Sequence, residues 1–261
     1  MYRKIENLLR KLYEKLELFY PDDVKIDDKK YLEKSGLINL LNYQQGNVTF
    51  LIEVKHLRVV QVRGSVLKYT GYSPAEFGDN ILLKFMSMFV PEQQSFMSDF
   101  VTWILNIQKN VPFEYKSRQC ISAWGMRLLH RDGRRMRCYI NIIPIEFNDQ
   151  NNPTLIMMSF QEVSHLVKGD YYCMRGIFGE DDKKVFVYYS NEDRTVETEI
   201  ISEREREVLQ YILQGLDTKQ IGGEMKISNN TVDNHRRNML ARTGTRDTTA
   251  LIQLCRILGI I

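Results

Sequence analysis

The sequence contains no long apolar run. No stretch approaches the roughly 20 consecutive apolar residues that a membrane-spanning helix needs. The N-terminus opens with Arg3, Lys4 and alternating charges instead of the short basic region and apolar block of a signal peptide. These absences argue against a membrane or secreted class, and we expect a cytoplasmic protein with no membrane partner.

The sequence is also poor in the side chains of metal and redox sites. Its four cysteines, Cys120, Cys138, Cys173 and Cys255, form neither a CxxC pair nor a zinc-ligand spacing. This predicts reduced, buried or incidental thiols and no metal site.

No catalytic constellation can be placed. The sequence offers no Ser-His-Asp set, no phosphate-binding loop and no pair of catalytic carboxylates. The acidic pairs Asp22-Asp23 and Asp27-Asp28 stand in a polar loop, where charges are usually solvated. We therefore expect no enzymatic activity and assign no catalytic residue.

What the sequence does contain is a series of helix caps near its C-terminal end. The predicted helix starts are Ser202, which forms a capping box with Glu205, then Asp217 or Thr218, then Ser228, then Asp247. The predicted ends are Gly215, the turn at Lys226-Ile227, Gly244 and Gly259. A short helix, a tight turn and a longer polar helix are the layout of a helix-turn-helix.

The third of these helices has two distinct faces. At about 100° per residue, Val232, Met239 and Leu240 fall together and should face a core. The opposite face carries Asn230, Asn234, Arg237 and Ala241, flanked by Asp233 and Asn238. These side chains suit base edges, whereas Arg236 lies nearer the apolar side and should reach a phosphate. An isolated helix with this pattern would more often be a solvated polar face, but the neighbouring caps and turn favour DNA binding.

Residues 201–258 resemble the LuxR/GerE-type helix-turn-helix. The matching letters are 202–209 (Ser-Glu-Arg-Glu-Arg-Glu-Val-Leu), Gly215, Lys219, Ile221, Ile227-Ser228, Thr231-Val232 and His235. The resemblance implies a transcription regulator with the third helix in the major groove and the fourth pairing two subunits. It implies base readers Asp233, Asn234 and Arg237.

The remaining site residues are expected at phosphates or on the flanks of the interface. The resemblance places Lys219, Asn229, Thr231 and Arg236 there, and we add the polar neighbours Asn230 and His235. Two departures stand out. Gly222 and Gly223 replace an alanine and a helix-forming residue, and Asp233 stands where a basic residue is common.

Charge supports DNA binding only mildly. The chain has 36 Lys and Arg against 33 Asp and Glu, a formal charge of +3. Arg236, Arg237, Arg242 and Arg246 occur without an acidic residue between them and predict a local phosphate patch. We expect one such domain to bind weakly and a homodimer to supply the missing affinity.

The N-terminal part begins with an amphipathic helix over 5–20, ended by Pro21. Its apolar stripe could pack on its own domain or on a second subunit. A second short helix is predicted around 30–41. From Val48 the pattern changes to strands, over 48–54, 58–62, 123–130, 136–147 and 154–163. Helical turns at 65–69 and 74–77 and a helix over 93–108 lie between, which predicts an α+β fold with an antiparallel sheet.

This order resembles a PAS domain over 46–165. The motifs are 69–77 (Tyr-Thr-Gly-Tyr-Ser-Pro-Ala-Glu-Phe), 89–92 (Phe-Val-Pro-Glu), 130–133 (His-Arg-Asp-Gly) and 161–164 (Gln-Glu-Val-Ser). The resemblance implies a sensor whose cavity holds a small ligand, with a filled apolar core as the alternative. The flavin motif Asn-Cys-Arg-Phe is missing, and His56, His130 and His165 are expected at the surface, so no cofactor is predicted.

Two further strands are predicted at 171–178 and 184–189, followed by a polar connector over 190–198. The expected organisation is an N-terminal helical segment (1–45), the PAS-like sensor (46–165), a hairpin and connector (166–199) and the all-α four-helix domain (200–261). The expected function is a dimeric transcription regulator that binds double-stranded DNA, with RNA polymerase as a further candidate partner. The alternatives are a phosphorylation-controlled response regulator and an interaction module without sequence readout.

Overall fold

The fold is described from a computed structural model, which covers residues 2–20, 48–73, 76 and 81–261. The helix predicted around 30–41 lies outside the described residues, and the turn predicted at 74–77 is described only at Glu76.

The N-terminal part is an antiparallel sheet with helices on one side. Its helices are α1 (Tyr2–Phe19), α2 (Val66–Thr70), α3 (Ile81–Ser87), α4 (Phe96–Asn110) and α5 (Phe113–Lys116), with a 3-10 turn at Pro91–Gln93. Its strands are β1 (Val48–Glu53), β2 (Arg58–Gly64), β3 (Gln119–Leu129), β4 (Arg135–Phe147), β5 (Pro153–Glu162), β6 (Cys173–Phe178), β7 (Lys184–Tyr189) and β8 (Arg194–Val196).

The C-terminal part is all helical and is called the head below. It consists of α6 (Glu203–Leu213), α7 (Thr218–Met225), α8 (Asn229–Thr243) and α9 (Thr248–Ile257). The predicted fold class, α+β followed by four helices, is confirmed.

The sheet has the strand order β2-β1-β5-β4-β3-β6-β7-β8. Neighbouring strands are antiparallel, which differs from the parallel β-α alternation that a phosphorylated receiver domain requires. The predicted hairpin extends the sheet because β6 pairs with β3. The polar connector predicted over 190–198 contains a short strand that the sequence did not indicate, since β8 pairs Val196 with Val187 and Arg194 with Tyr189.

The helix side of the sheet holds the first hydrophobic core. The stripe of α1 is buried there through Ile5, Leu9, Leu12 and Leu16, so this helix packs on its own domain. Lys15 Nζ also donates to Thr102 Oγ1 of α4 at 2.6 Å. None of the described helices has the length and apolar character of a membrane span.

The opposite side of the sheet holds a second core, which it shares with the head. Trp124, Tyr139 and Val187 of the sheet pack in one cluster with Val208 and Leu251 of the head. A β-bulge makes this possible in β3: the register shifts between Trp124 and Met126. Gly125 adopts φ +86° there, and a Cβ atom on it would lie 2.6 Å from the carbonyl oxygen of Tyr171. Glycine therefore lets Trp124 face the head while Met126 stays in the first core.

Hydrogen bonds to backbone carbonyls reinforce this docking. Trp124 Nε1 donates to the carbonyl oxygen of Thr243 at 3.1 Å. The amide of Lys168 donates to the carbonyl of Gly244 at 2.9 Å, and the amide of Arg246 donates to the carbonyl of Leu166 at 3.0 Å. The turn between α8 and α9 is thus held by the loop that leads from β5 to β6.

Arg175 of β6 provides a second attachment. Its side chain is 3% exposed, and it forms an ion pair with Glu199, whose side chain is 17% exposed. Arg175 Nη1 also donates to the carbonyl oxygen of Leu258 at 3.0 Å. One guanidinium therefore ties the sheet to both ends of the head.

The four cysteines are free thiols. Cys138, Cys173 and Cys255 are buried, and Cys120 is half-buried. Burial raises the pKa of each thiol, to about 12 for Cys255. A protonated thiol is a poor nucleophile and metal ligand, which fits structural thiols. Among the described residues no cluster of metal-ligand side chains forms.

Candidate DNA interface

Each helix of the head begins at a predicted cap. Ser202 and Glu205 form the reciprocal capping box, with the Ser202 amide donating to Glu205 Oε2 at 2.9 Å. Asp217, not Thr218, caps α7, and it forms a second capping box with Gln220. Caps of this kind satisfy backbone amides that no helix can pair internally.

Ser228 and Asp247 begin the last two helices. Ser228 Oγ accepts from the amide of Thr231 at 3.1 Å, and Asp247 Oδ1 accepts from the amide of Ala250 at 2.8 Å. All four predicted caps are confirmed.

The turn between α7 and α8 depends on Lys226. This residue adopts the left-handed conformation with φ 55° and ψ 42°. The amide of Ile227 then donates to the carbonyl of Gly222 at 3.0 Å, closing the end of α7. The chain turns over the three residues 226–228, and α8 starts at Asn229.

The faces of α8 match the helical wheel. Val232 and Met239 are fully buried in the head, and Leu240 is half-buried. The residues of the opposite face are exposed, namely Asn230, Asp233, Asn234, Arg237, Asn238 and Ala241. The N-terminal half of α8 therefore presents an uninterrupted polar surface to solvent.

The three predicted base readers lie on this surface. Arg237 Nη2 donates to Asn234 Oδ1, so these two side chains form a pair. Asp233 Oδ1 accepts from Thr218 Oγ1 at 3.4 Å, which holds it toward the start of α7. The structure brings the three together, and their contact with bases stays a prediction.

The residues predicted at phosphates or on the flanks differ in how exposed they are. Lys219, Asn229 and Asn230 are exposed, whereas Thr231 and His235 are half-buried. These five stay predictions.

Arg236 has an internal role that the sequence did not indicate. Its guanidinium donates to Thr218 Oγ1 at 3.2 Å and to Thr248 Oγ1 at 3.3 Å. It thus joins the starts of α7 and α9, and its phosphate contact also stays a prediction.

One arginine of the predicted patch, Arg242, also has a partner within the head. Its guanidinium pairs with Glu205, whose side chain is only 5% exposed. Arg242 therefore neutralises the buried capping carboxylate while its own side chain stays 39% exposed, so its charge is partly compensated within the head. Sequence separation hid this pair, since the partners are 37 positions apart.

The two glycines of α7 differ in their surroundings. A Cβ atom at Gly222 would lie 2.9 Å from the carbonyl oxygen of Ile227 and 3.0 Å from Asn229 Oδ1. At Gly223 nothing lies within 4 Å. The close approach of the turn to α7 accounts for Gly222, and nothing in the structure explains Gly223.

We expect Gly223→Ala to raise the free energy of unfolding by about 0.5–1 kcal/mol, because alanine loses less backbone entropy in a helix. Gly222→Ala is the matched control and should bring no gain, since the turn must shift to admit the methyl group. Urea denaturation of both variants checks this. Equal stabilisation by the two substitutions would contradict the packing at Gly222.

A second candidate site lies on the helix side of the sheet. A cavity of about 100 Å³ opens between α4 and strands β1 to β5, with Leu16 and Tyr20 of the α1 segment forming one wall. Its lining is almost entirely apolar. The histidines lie elsewhere: His56 and His165 are exposed as predicted, with His56 paired to Glu53. The expected surface position of His130 was wrong, since its side chain is only 13% exposed and pairs with Asp132.

Comparison with known proteins identifies the head. Residues 199–255 match the family described as "Bacterial regulatory proteins, luxR family". These residues are a LuxR-type helix-turn-helix domain, and that family is one of DNA-binding regulators. No curated protein matches the chain.

Several solved structures are distantly similar to the chain. A phage VqmA–DPO complex is 13% identical, with 89% of each chain covered and a TM-score of 0.33. A Vibrio cholerae VqmA dimer without target DNA is 15% identical, covering 87% of this chain and 89% of that one, with a TM-score of 0.27. A Vibrio cholerae VqmA–ligand–DNA complex is 14% identical, covering 86% and 87%, with a TM-score of 0.28. Likenesses this distant identify no shared function.

Proposed function

We propose that this chain, whose residues 199–255 are a LuxR-type helix-turn-helix domain, is a transcription regulator that binds an operator as a homodimer. In this proposal α8 lies in the major groove, and the N-terminal domain adjusts operator binding in response to a small ligand. The exposed polar surface on the N-terminal half of α8 carries the proposal. Residues at that end of a recognition helix are the ones that contact base edges.

The side chains of this surface have base-reading chemistry. The guanidinium of Arg237 can bind guanine through two hydrogen bonds, Asn234 can do the same with adenine, and Asp233 can accept from cytosine. In the free protein Arg237 and Asn234 satisfy each other, so DNA binding exchanges that contact for contacts with bases. Lys219, Asn229, Asn230, Thr231, His235 and Arg236 would then lie along the backbone or the flanks.

Dimerisation is part of the proposal because the head is weakly basic. Residues 202–261 carry nine basic and seven acidic side chains, a net charge of +2. Two heads bound at half-sites about 34–36 Å apart act as one unit and reach an affinity that a single head lacks. On α9 the exposed residues are Thr249, Gln253 and Arg256, so a partner subunit would meet a polar face there.

Contacts between the domains support control by the N-terminal part. The hydroxyl of Tyr171 donates to the carbonyl oxygen of Ala241, near the end of the recognition helix. Helix α4, which lines the cavity, contacts the residue after Tyr171 and the edge strand: Tyr172 Oη donates to Asp99 Oδ2 at 3.4 Å, and Trp103 Nε1 donates to Thr195 Oγ1 of β8 at 3.1 Å. A ligand that favours one arrangement of α4 would therefore bias the docking of the head.

The test is a selection of random duplex DNA by the purified protein at physiological salt, with and without candidate ligands. Recovery of a two-fold symmetric motif is the expected result. Binding that falls with salt and shows no preference between sequences would contradict operator recognition and favour an interaction module, for instance one that contacts RNA polymerase.

Arg237→Ala should cost about 1–3 kcal/mol of binding free energy, confined to one base position of the half-site. Lys219→Ala is the control, because loss of a phosphate contact weakens binding to all sequences alike and lowers the salt slope by about one. Fluorescence anisotropy on a panel of single-base operator variants separates the two patterns. Uniform weakening by Arg237→Ala would argue against direct readout.

A further inference from the structure

Two hydrogen-bonded glutamine side chains border the cavity beneath α4. Gln108, in the last turn of α4, is 1% exposed, and Gln119, the first residue of β3, is 9% exposed. Gln108 Nε2 donates to Gln119 Oε1 at 2.5 Å, and Gln119 Nε2 donates to the carbonyl oxygen of Lys116 at 2.6 Å. Both glutamines line the cavity.

The carbonyl oxygen of Lys116 fixes the direction of these two hydrogen bonds. A carbonyl oxygen can only accept, so Gln119 must turn its NH₂ group toward Lys116 and its oxygen toward Gln108. Gln108 must then direct its own NH₂ group toward Gln119. The atom left at the end of this hydrogen-bond series is therefore Gln108 Oε1, which is buried and has no hydrogen-bond partner.

An unpaired acceptor of this kind calls for a donor. Buried polar atoms in proteins nearly always have a partner, and each exception requires an explanation. The two upstream hydrogen bonds polarise the amides in the same direction, which makes the last oxygen a stronger acceptor. A ligand with an N–H or O–H group would complete the series.

The remainder of the lining sets the other properties of the ligand. The described residues around the cavity are apolar apart from the two glutamines and Tyr20, and none of them is charged. Burying an ion there would cost its full hydration without compensation. Since an apolar cavity of roughly 150 Å³ admits benzene, a cavity of about 100 Å³ suits a molecule no larger than one small ring.

We propose that this cavity binds a small, uncharged and largely apolar molecule that donates one hydrogen bond to Gln108 Oε1. This inference rests on the proposed sensing role of the N-terminal domain and names the chemical class of its ligand. The apolar walls supply most of the affinity, and the glutamine pair supplies the selectivity for a donor.

Pyrrole and furan are the probes for the test. The two five-membered rings have nearly the same size, but pyrrole carries an N–H donor and furan does not. Ligand-detected NMR titration of the full chain should give a dissociation constant for pyrrole that is roughly five-fold lower than that for furan, the effect of one net hydrogen bond.

The matched variant is Gln108→Met/Gln119→Met. Replacing both glutamines by apolar side chains of similar shape removes the orphaned oxygen of Gln108, and only the part-buried carbonyl of Lys116 loses a donor. It should abolish the preference for pyrrole, so that the two probes bind the variant with equal dissociation constants. The variant Val101→Phe fills the cavity from α4 and should abolish binding of both probes, which places them in this site.

Three results would overturn the proposal. They are equal affinities of the two probes for the unmodified chain, no measurable binding of either probe, and a preference for pyrrole that survives in the double variant. None of these measurements involves DNA. A failed operator selection with an intact pyrrole preference would remove the proposed function and leave the ligand site standing.

Discussion

Arg175→Met is expected to lower the free energy of unfolding by about 3–5 kcal/mol. The substitution keeps an unbranched side chain of similar length but removes the cation. Glu199 is then left with a largely buried charge whose remaining donor is the amide of Ile200, and the carbonyl oxygen of Leu258 loses its donor. Chemical denaturation followed by tryptophan fluorescence measures the loss.

The double variant Arg175→Met/Glu199→Met is the control for this prediction. When both charges of a buried pair are replaced by apolar groups, stability is often unchanged or increased. The double variant should therefore recover most of the stability that the single variant loses. A single variant as stable as the unmodified chain would mean that solvent already screens Glu199, in contradiction to its burial.

Trp124→Ala should cost about 3–5 kcal/mol, because it leaves a large cavity between the sheet and the head. Trp124 is 1% exposed in the shared core, and its indole N–H is bonded to Thr243. The unmodified chain should unfold in one cooperative transition, since both parts share this core. In the variant we expect two transitions, with the head released first and the chain between β8 and α6 opened to protease.

Trp124→Phe is the matched control for the indole N–H. It keeps most of the buried apolar area and loses one hydrogen bond, so it should cost only about 1–2 kcal/mol and retain a single transition. Limited proteolysis and calorimetry of the three proteins provide the measurement. One unchanged transition in Trp124→Ala would show that the docking contributes little to the stability of the head.

The head could be predicted from the sequence in detail because its signals are local. A cap such as Ser228 acts on the amide three residues later, and the buried set Val232 and Met239 follows from helix period alone. The ion pair between Glu205 and Arg242 is a contact across the fold and left no local trace. The same holds for the tether from Arg236 to Thr248.

The longer strands of the sheet could be predicted from the sequence, but its short elements could not, and the packing of the head on the sheet left only one signal. The seven longer strands alternate or run apolar over six residues or more, whereas β8 has only three residues and α3 and α5 are short. The docking of the head had one visible signal. Residues 123–126 are Ala-Trp-Gly-Met, apolar on both faces of the strand, and such a run indicates a strand that is covered on both sides.

The cavity chemistry could not be read from the sequence at all. Gln108 and Gln119 look like ordinary surface residues at the end of a helix and the start of a strand. Only the fold places their amides end to end and leaves Gln108 Oε1 without a partner.

The shared core also limits how freely the two parts of this chain can be exchanged with parts of other proteins. Cutting the chain near Glu199 would remove the head and expose the sheet residues that it covers, namely Trp124, Tyr139, Val187 and Tyr189. An exposed apolar patch of this kind promotes self-association. A chimera that joins this sheet to a foreign head therefore needs a head with a complementary apolar surface. Transplanting the LuxR-type domain alone requires polar substitutions where Leu251 and its neighbours now meet the sheet. The boundary between the N-terminal part and the LuxR-type domain can thus be drawn in the sequence, but in the structure one hydrophobic core spans it.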